Sequence, residues 1–153
     1  MKTGERWLDP NFFPLGDRHV LLYVEPGGPR YLIGDYRNHR FYPEAEGVID
    51  QGPQFDSGAT VLDQNGRRLL FGWISEDRPI DSYIDEGWAG VVSLPRVIDI
   101  QDGVLTVDVA QEVRASSTPN VNITNLELTP STPITIEHAR GNSMEIEVEF
   151  DLS

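Results

Sequence analysis

ATVLDQNGRRLLFGWI, residues 59–74, reads as two short strands around a turn. Both arms are rich in β-branched, aromatic and aliphatic residues, and Asn65-Gly66 supplies the positive-φ positions that a tight reversal needs. A hairpin is therefore expected here. The same texture continues upstream. HVLLYV (19–24) ends at the strong turn EPGGP, RYLIGDY (30–36) runs into the polar turn RNHR, and FYPE (41–44) is again extended. GVIDQGPQ (47–54) reads as a loop. Downstream, EDRPIDSYIDEG (76–87) reads as a long polar loop, and WAGVVSLPRVIDI (88–100) is extended, with Pro95 marking an edge or a crossing between units. VLTVDVA (104–110) alternates with period two. QEVRASST (111–118) reads as a short helical turn or linker. NITNLELT, PITIEHA and SMEIEVEFDL, between 122 and 152, alternate again. Strands at this spacing, without a convincing amphipathic helix, predict an all-β sandwich or propeller.

Composition narrows the partners. Against 25 acidic residues stand 12 basic ones, all Arg except Lys2, for a net charge of −13. Phosphate backbones and anionic lipid surfaces need clustered cations, so neither nucleic acid nor membrane is an expected partner. A neutral saccharide is compatible with this charge. With no Cys, disulfides and thiol chemistry are excluded. His19, His39 and His138 show no metal-ligand spacing, so neither metal nor cofactor is expected. The start MKTGERWLDP lacks the apolar core of a signal peptide and no run reaches membrane-spanning length. The expectation is a cytoplasmic protein if Met1 is the native start; otherwise the compartment is open.

The texture changes near residue 100. Earlier strands carry Trp, Phe and Tyr; later ones are plain Val, Ile, Leu and Glu alternation. The expected organisation is a propeller part over 1–100, a linker over 101–118, and the opening of a sandwich over 119–153. Because the chain stops directly after a strand pattern, open sheet edges and a truncated domain are expected, with self-association or a missing upstream segment as consequences.

Five stretches in order resemble glycoside hydrolase family 32, the invertases, levanases and inulinases. They are Trp7, Pro10, Phe12 and Phe13 in the opening stretch; YLIGDYRNHRFYPE with GVIDQGPQF; DQNGRRLLFGWI (63–74); EGWAGVVSLPRVI (86–98); and NLELTPSTPITIEHARGNSMEIEVEFDL (125–152). The resemblance covers nearly the whole chain. It implies a five-bladed propeller followed by a β-sandwich, of which these residues are the last blades and the first sandwich strands. It also implies retaining hydrolysis of a fructosyl linkage, as in sucrose, levan or inulin, and a fructose-containing saccharide as partner. Retaining enzymes place two carboxylates about 5–5.5 Å apart.

The chain departs from that pattern at the chemistry. The family's nucleophile motif Asn-Asp-Pro-Asn and its Arg-Asp-Pro motif are absent from the 153 residues. The acid/base Glu of a Trp-Glu-Cys-Pro-Asp-Phe-Phe pattern falls on Leu8, and the neighbouring Cys on Asp9. Asp9 is the candidate catalytic residue. Neighbouring strand side chains face opposite ways, so Asp9 reaches the pocket only through a bulge or a register slip. Its other reading is an Asx turn before Pro10. Asp56 takes the Tyr place of a Phe-Tyr-Ala pattern and either bonds a sugar hydroxyl or belongs to an ordinary Asp-Ser-Gly turn. Trp73 is either a stacking platform for a sugar or propeller core, and Trp7 is a candidate binding residue whose other reading is packing. Trp88 is expected to pack between blades. Glu76, Asp77 and Arg78 form a charged loop, solvated or at the pocket rim; Glu44 and Glu46 are expected on the surface. Arg96 either pairs with a carboxylate at a domain seam or is exposed. Asn122-Ile123-Thr124 fits a glycosylation sequon.

The expected function is a β-fructofuranosidase-type hydrolase that is inactive as this chain alone. The alternatives are a non-catalytic carbohydrate-binding module of the same descent and a structural β-module that assembles with another chain.

Overall fold

A computed structural model describes residues 7–115, 121–141 and 144–151. It is all-β, with two sheets built in chain order. The first is the meander β1 (Leu8–Leu15), β2 (Arg18–Glu25), β3 (Gly28–Arg37) and β4 (Arg40–Val48), antiparallel throughout. The second begins with β5 (Phe55–Leu62) and β6 (Arg68–Ile74), the hairpin read from residues 59–74. Asp63 fixes its loop. The Asp63 carboxylate accepts hydrogen bonds from the backbone N–H groups of Asn65 (2.9 Å) and Arg67 (2.8 Å).

The third strand of the second sheet is split. β7 (Val91–Val92) pairs with one end of β6 and β8 (Arg96–Gln101) with the other; β9 (Val104–Val109) closes the sheet. Pro95 therefore interrupts an internal strand rather than marking an edge. It has no N–H to give to a ladder, and the nearby Ser93 bridges the gap. Ser93 N donates to Gly72 O at 2.8 Å, and Gly72 N donates to Ser93 Oγ at 3.0 Å.

The two sheets pack face to face. Alternation sends Phe13, Val20, Leu22, Tyr31 and Ile33 from the first sheet, and Phe55, Leu70, Ile98 and Leu105 from the second, into one core with Ile49 of the connection. Arg96 ion-pairs with Asp50 and lies over Phe55, so its carboxylate partner sits at the seam between the sheets. β1 and β5 are the first strands of their meanders and lie side by side; Asn11 Oδ1 accepts from Thr60 N (3.1 Å) and Thr60 Oγ1 (2.6 Å). Two consecutive four-stranded meanders packed this way are consecutive propeller blades.

Four expectations are corrected. β4 continues to Val48, into the stretch read as loop. Residues 80–86 of the expected polar loop form the helix α1 (Ile80–Glu86), which follows Pro79 and ends at left-handed Gly87. Asp56-Ser57-Gly58 is not a turn but a bulge inside β5, with Ser57 at φ 38°. The second sheet runs to Val109, nine residues past the boundary placed at 100, before the short helix α2 (Gln111–Arg114). Among the described residues of 121–151 there is no strand, and those residues are exposed. A period-two segment forms a ladder only against a partner strand, and none of the described strands pairs with these residues.

Candidate functional site

The β1/β5 seam ends, at the start of both strands, in two facing bulges. In β1 the register shifts between Leu8, paired with Val24, and Asn11, paired with Leu22. One extra residue is accommodated, and Asp9 takes φ 48°. In β5 the shift falls between Asp56 and Gly58. A non-glycine residue in the left-handed region is costly, and such positions gather where the chain must aim a side chain.

The bulges aim Asp9 and Ser57 at each other. Ser57 Oγ donates to Asp9 Oδ2 at 2.5 Å and lies 3.4 Å from Asp56 Oδ1; Ser57 N donates to Asp56 Oδ1 at 2.7 Å. The bulge required to turn Asp9 toward the second sheet is thus present. Two carboxylates and one hydroxyl meet there, and among the described residues neither Asp9 nor Asp56 is ion-paired with a cation.

Trp73 lies directly across from Asp56 in the β5/β6 register, and paired residues on adjacent strands share a face. Its indole rests on Gly90, where an added Cβ would come within 2.0 Å of Nε1. Trp73 keeps 43% of its surface exposed. Gly90 is held in turn: its N–H donates to Glu76 Oε2 at 3.0 Å. The same oxygen accepts from Arg78 at 2.9 and 3.2 Å, and Arg78 also bonds Glu86 at 2.6 Å. The guanidinium lies 3.9 Å over Trp88. Burial works against the Arg78 charge, but the bonds to Glu76 and Glu86 outweigh it and hold its pKa above the ordinary arginine value. The loop 76–90, though largely exposed, is therefore tied beside Trp73 through Glu76 and Arg78. Trp88 packs under Arg78 and stays half exposed.

Trp7 goes elsewhere. It stacks on Tyr23 at 4.3 Å, on the face of the first sheet turned away from Ser57. Burial pushes the Tyr23 phenol up. Leu8 sits against Val24, Glu25 and Pro26, 41% exposed. Of the four candidates, Asp9 and Asp56 meet at Ser57, Trp73 pairs with Asp56 across the β5/β6 ladder, and Trp7 lies elsewhere. Ser57, Gly90 and the structural part of Glu76 were missed; the Gly-Trp-Ala-Gly stretch was the one sequence signal for Gly90. Among the described residues no group of three His, Cys, Asp or Glu side chains could hold a metal ion, and no helix is long and apolar enough to cross a membrane.

Residues 3–109 match the family model described as the glycosyl hydrolases family 32 N-terminal domain. A sucrose-6-phosphate hydrolase of Vibrio alginolyticus is 26% identical over 163 residues, covering 95% of this chain and 34% of that protein. A fructan 1-exohydrolase of Hordeum vulgare is 27% identical over 152 residues, covering 92% of this chain and 25% of its own length. The crystal structure of a variant fructan 1-exohydrolase IIa from Cichorium intybus, in complex with 1-kestose, superposes with a TM-score of 0.71 and 26% identity over 82% of this chain and 29% of that one. The chain thus spans between a quarter and about a third of these three relatives.

Proposed function

From a chain that belongs to glycosyl hydrolase family 32, we propose two late blades of a retaining β-fructofuranosidase-type propeller that, by themselves, bind a fructose-containing saccharide and do not cleave it. The observation that carries this reading is the meeting of Asp9 and Asp56 on Ser57 at the head of the β1/β5 seam, with Trp73 across the β5/β6 ladder from Asp56. Carboxylates accept hydrogen bonds from sugar hydroxyls, and an exposed indole face suits the apolar face of a sugar ring. Relatives that match over this length are named for fructosyl substrates, sucrose 6-phosphate in one case and fructan in another.

Inactivity follows from the residue types. Retaining hydrolysis needs a nucleophilic carboxylate and a proton donor on opposite sides of the scissile bond. The nucleophile motif does not occur in these 153 residues, and Leu8, at the family's acid position, has no proton to give. Asp9 is the candidate substitute; its bulge and its bond to Ser57 support a part in the site. Residues 119–153 open a sandwich in this reading, their alternating strands forming once a partner sheet covers them.

Fructose release from sucrose, 1-kestose, levan and inulin tests the proposal. No release is expected from this chain. Release that disappears in Asp9→Asn would overturn the inactivity and make Asp9 the acid. The second reading, a structural module, is favoured by the aromatic cluster of Phe12, His19, Tyr36 and Phe41 on the outer face of the first sheet, with Phe12 and Tyr36 exposed and ring centroids 5.2–5.4 Å apart.

A further inference from the structure

Residues 76–90 carry Glu76, Asp77, Asp81, Asp85 and Glu86 against one cation, Arg78. They contain the helix α1, which has seven residues and buries none of them. A helix that short is marginal in water unless something outside it holds it. Its own charges work against it. Asp81 and Asp85 stand four residues apart, so they are neighbours on one helix face and repel each other. Asp85 and Glu86 lie at the C-terminal end, where the helix dipole disfavours negative charge and the last turn has no basic residue.

The tethers converge on Arg78. Its guanidinium joins Glu76, which precedes the helix, to Glu86 at the helix end, and it covers Trp88 just beyond. Tyr83 adds two long hydrogen bonds from its hydroxyl, to the carbonyls of Ser75 (3.5 Å) and Glu76 (3.4 Å). Through Glu76 the same latch holds Gly90, on which the Trp73 indole rests. Salt acts unequally on the two sides of this balance. The Arg78 and Glu76 side chains are only 22% and 20% exposed, whereas Asp77, Asp81, Asp85 and Glu86 are exposed. Exposed charges are screened much more than partly buried pairs, and the screening length falls from about 30 Å at 0.01 M salt to about 10 Å at 0.1 M. Added salt therefore removes the repulsion faster than it weakens the latch. We infer that residues 76–90 are an ion-sensitive strap latched by Arg78, which closes on Gly90 and Trp73 as ionic strength rises and loosens as it falls. Control of saccharide binding through Trp73 rests on the site proposed above; the latch itself stands on these charges alone.

The test follows the tryptophan indole N–H resonances of the 15N-labelled chain, without sugar, over about 0.01–0.5 M sodium chloride, a range in which the screening length shrinks severalfold. Trp73 and Trp88 are identified by the loss of one resonance in Trp73→Phe and in Trp88→Phe. Arg78→Gln removes the latch and marks the open positions. In the parent chain both resonances should shift toward those positions as salt falls. Asp81→Asn/Asp85→Asn keeps the latch and removes the repulsion, so its resonances should hold their high-salt positions down to the lowest salt. Parent resonances that ignore salt, or that approach the Arg78→Gln positions as salt rises, overturn the inference. So does a double variant that follows the same salt course as the parent, and so does a folded Arg78→Gln protein whose indole resonances stay in place. Should Arg78→Gln not fold, the salt course of the double variant against the parent decides alone. Salt shifts of the expected sign together with a Trp73 resonance that no sugar moves support the strap and remove only the saccharide site.

Discussion

Ser57 on β5 donates its hydroxyl proton to Asp9 on β1 at 2.5 Å, across the seam between two blades, and both residues stand at positive φ. Each bulge is costly alone, and the bond between them ties the two distortions together. Removing the hydroxyl in Ser57→Ala should cost about 1 kcal/mol, the worth of an ordinary hydrogen bond. For a chain of this size that is roughly 2–5 °C in melting temperature. Asp9→Asn keeps an acceptor for Ser57 and should cost less. Thermal melts of both variants check the order; an Asp9→Asn loss equal to or larger than that of Ser57→Ala would contradict it.

Gly90 is the support on which Trp73 rests. Gly90→Ala puts a methyl group where the indole nitrogen now lies and forces a side chain onto φ 69°. The variant should lose about 1–3 kcal/mol from crowding and shift the Trp73 indole resonance in the absence of any sugar. Saccharide binding should weaken with it. An unmoved indole resonance in a folded Gly90→Ala protein would show that the strap does not position Trp73.

Ser93 completes the ladder that Pro95 interrupts. Ser93→Ala removes the acceptor of the Gly72 N–H in a buried place. An unsatisfied buried N–H costs about 1–3 kcal/mol. Urea unfolding should show a lower midpoint with an unchanged slope, the signature of a stability change without a change in the exposed surface.

The meanders were legible because their strands alternate and their turns carry Gly, Asn or Pro at the required places. HVLLYV, RYLIGDY and RRLLFGWI became β2, β3 and β6 to within two residues at either end. The helix α1 was not legible. It buries no residue, so it shows no apolar stripe, and only Pro79, Asp81 and Gly87 punctuate it. The bulges were hidden for another reason: Asp9 and Ser57 are held at positive φ by contacts 48 residues apart in the chain, which no local pattern encodes. The paired loop around Arg78 was likewise invisible, since Glu76, Glu86 and Trp88 meet only after the chain folds back.

The hairpin loop adds an acid-sensitive element. Burial pushes the Asp63 carboxyl up, but the Arg67 side chain and the backbone donors of Arg67 and Asn65 outweigh it and leave the pKa below the ordinary aspartate value. Arg67 lowers Glu112 in the same way. A carboxylate whose folded pKa is depressed stabilises the fold above its unfolded pKa, about 4, and loses that contribution as pH falls through the folded value. Melting temperature should therefore decline below about pH 4. In Arg67→Gln the decline attributable to this pair should shrink; an identical acid profile in the variant would remove these two carboxylates as its cause.

The most direct measurement is a single sample of the 15N-labelled chain titrated with 1-kestose, with the indole resonances and the sugar's own signals followed together. A saturable shift of the Trp73 resonance while 1-kestose stays intact is the result predicted for blades that bind a fructosyl saccharide and lack the carboxylate pair to cleave it. A Trp73 resonance that never moves would contradict the binding site, and free fructose accumulating in the tube would contradict the claim that Leu8 and the absent nucleophile leave this chain without hydrolytic chemistry.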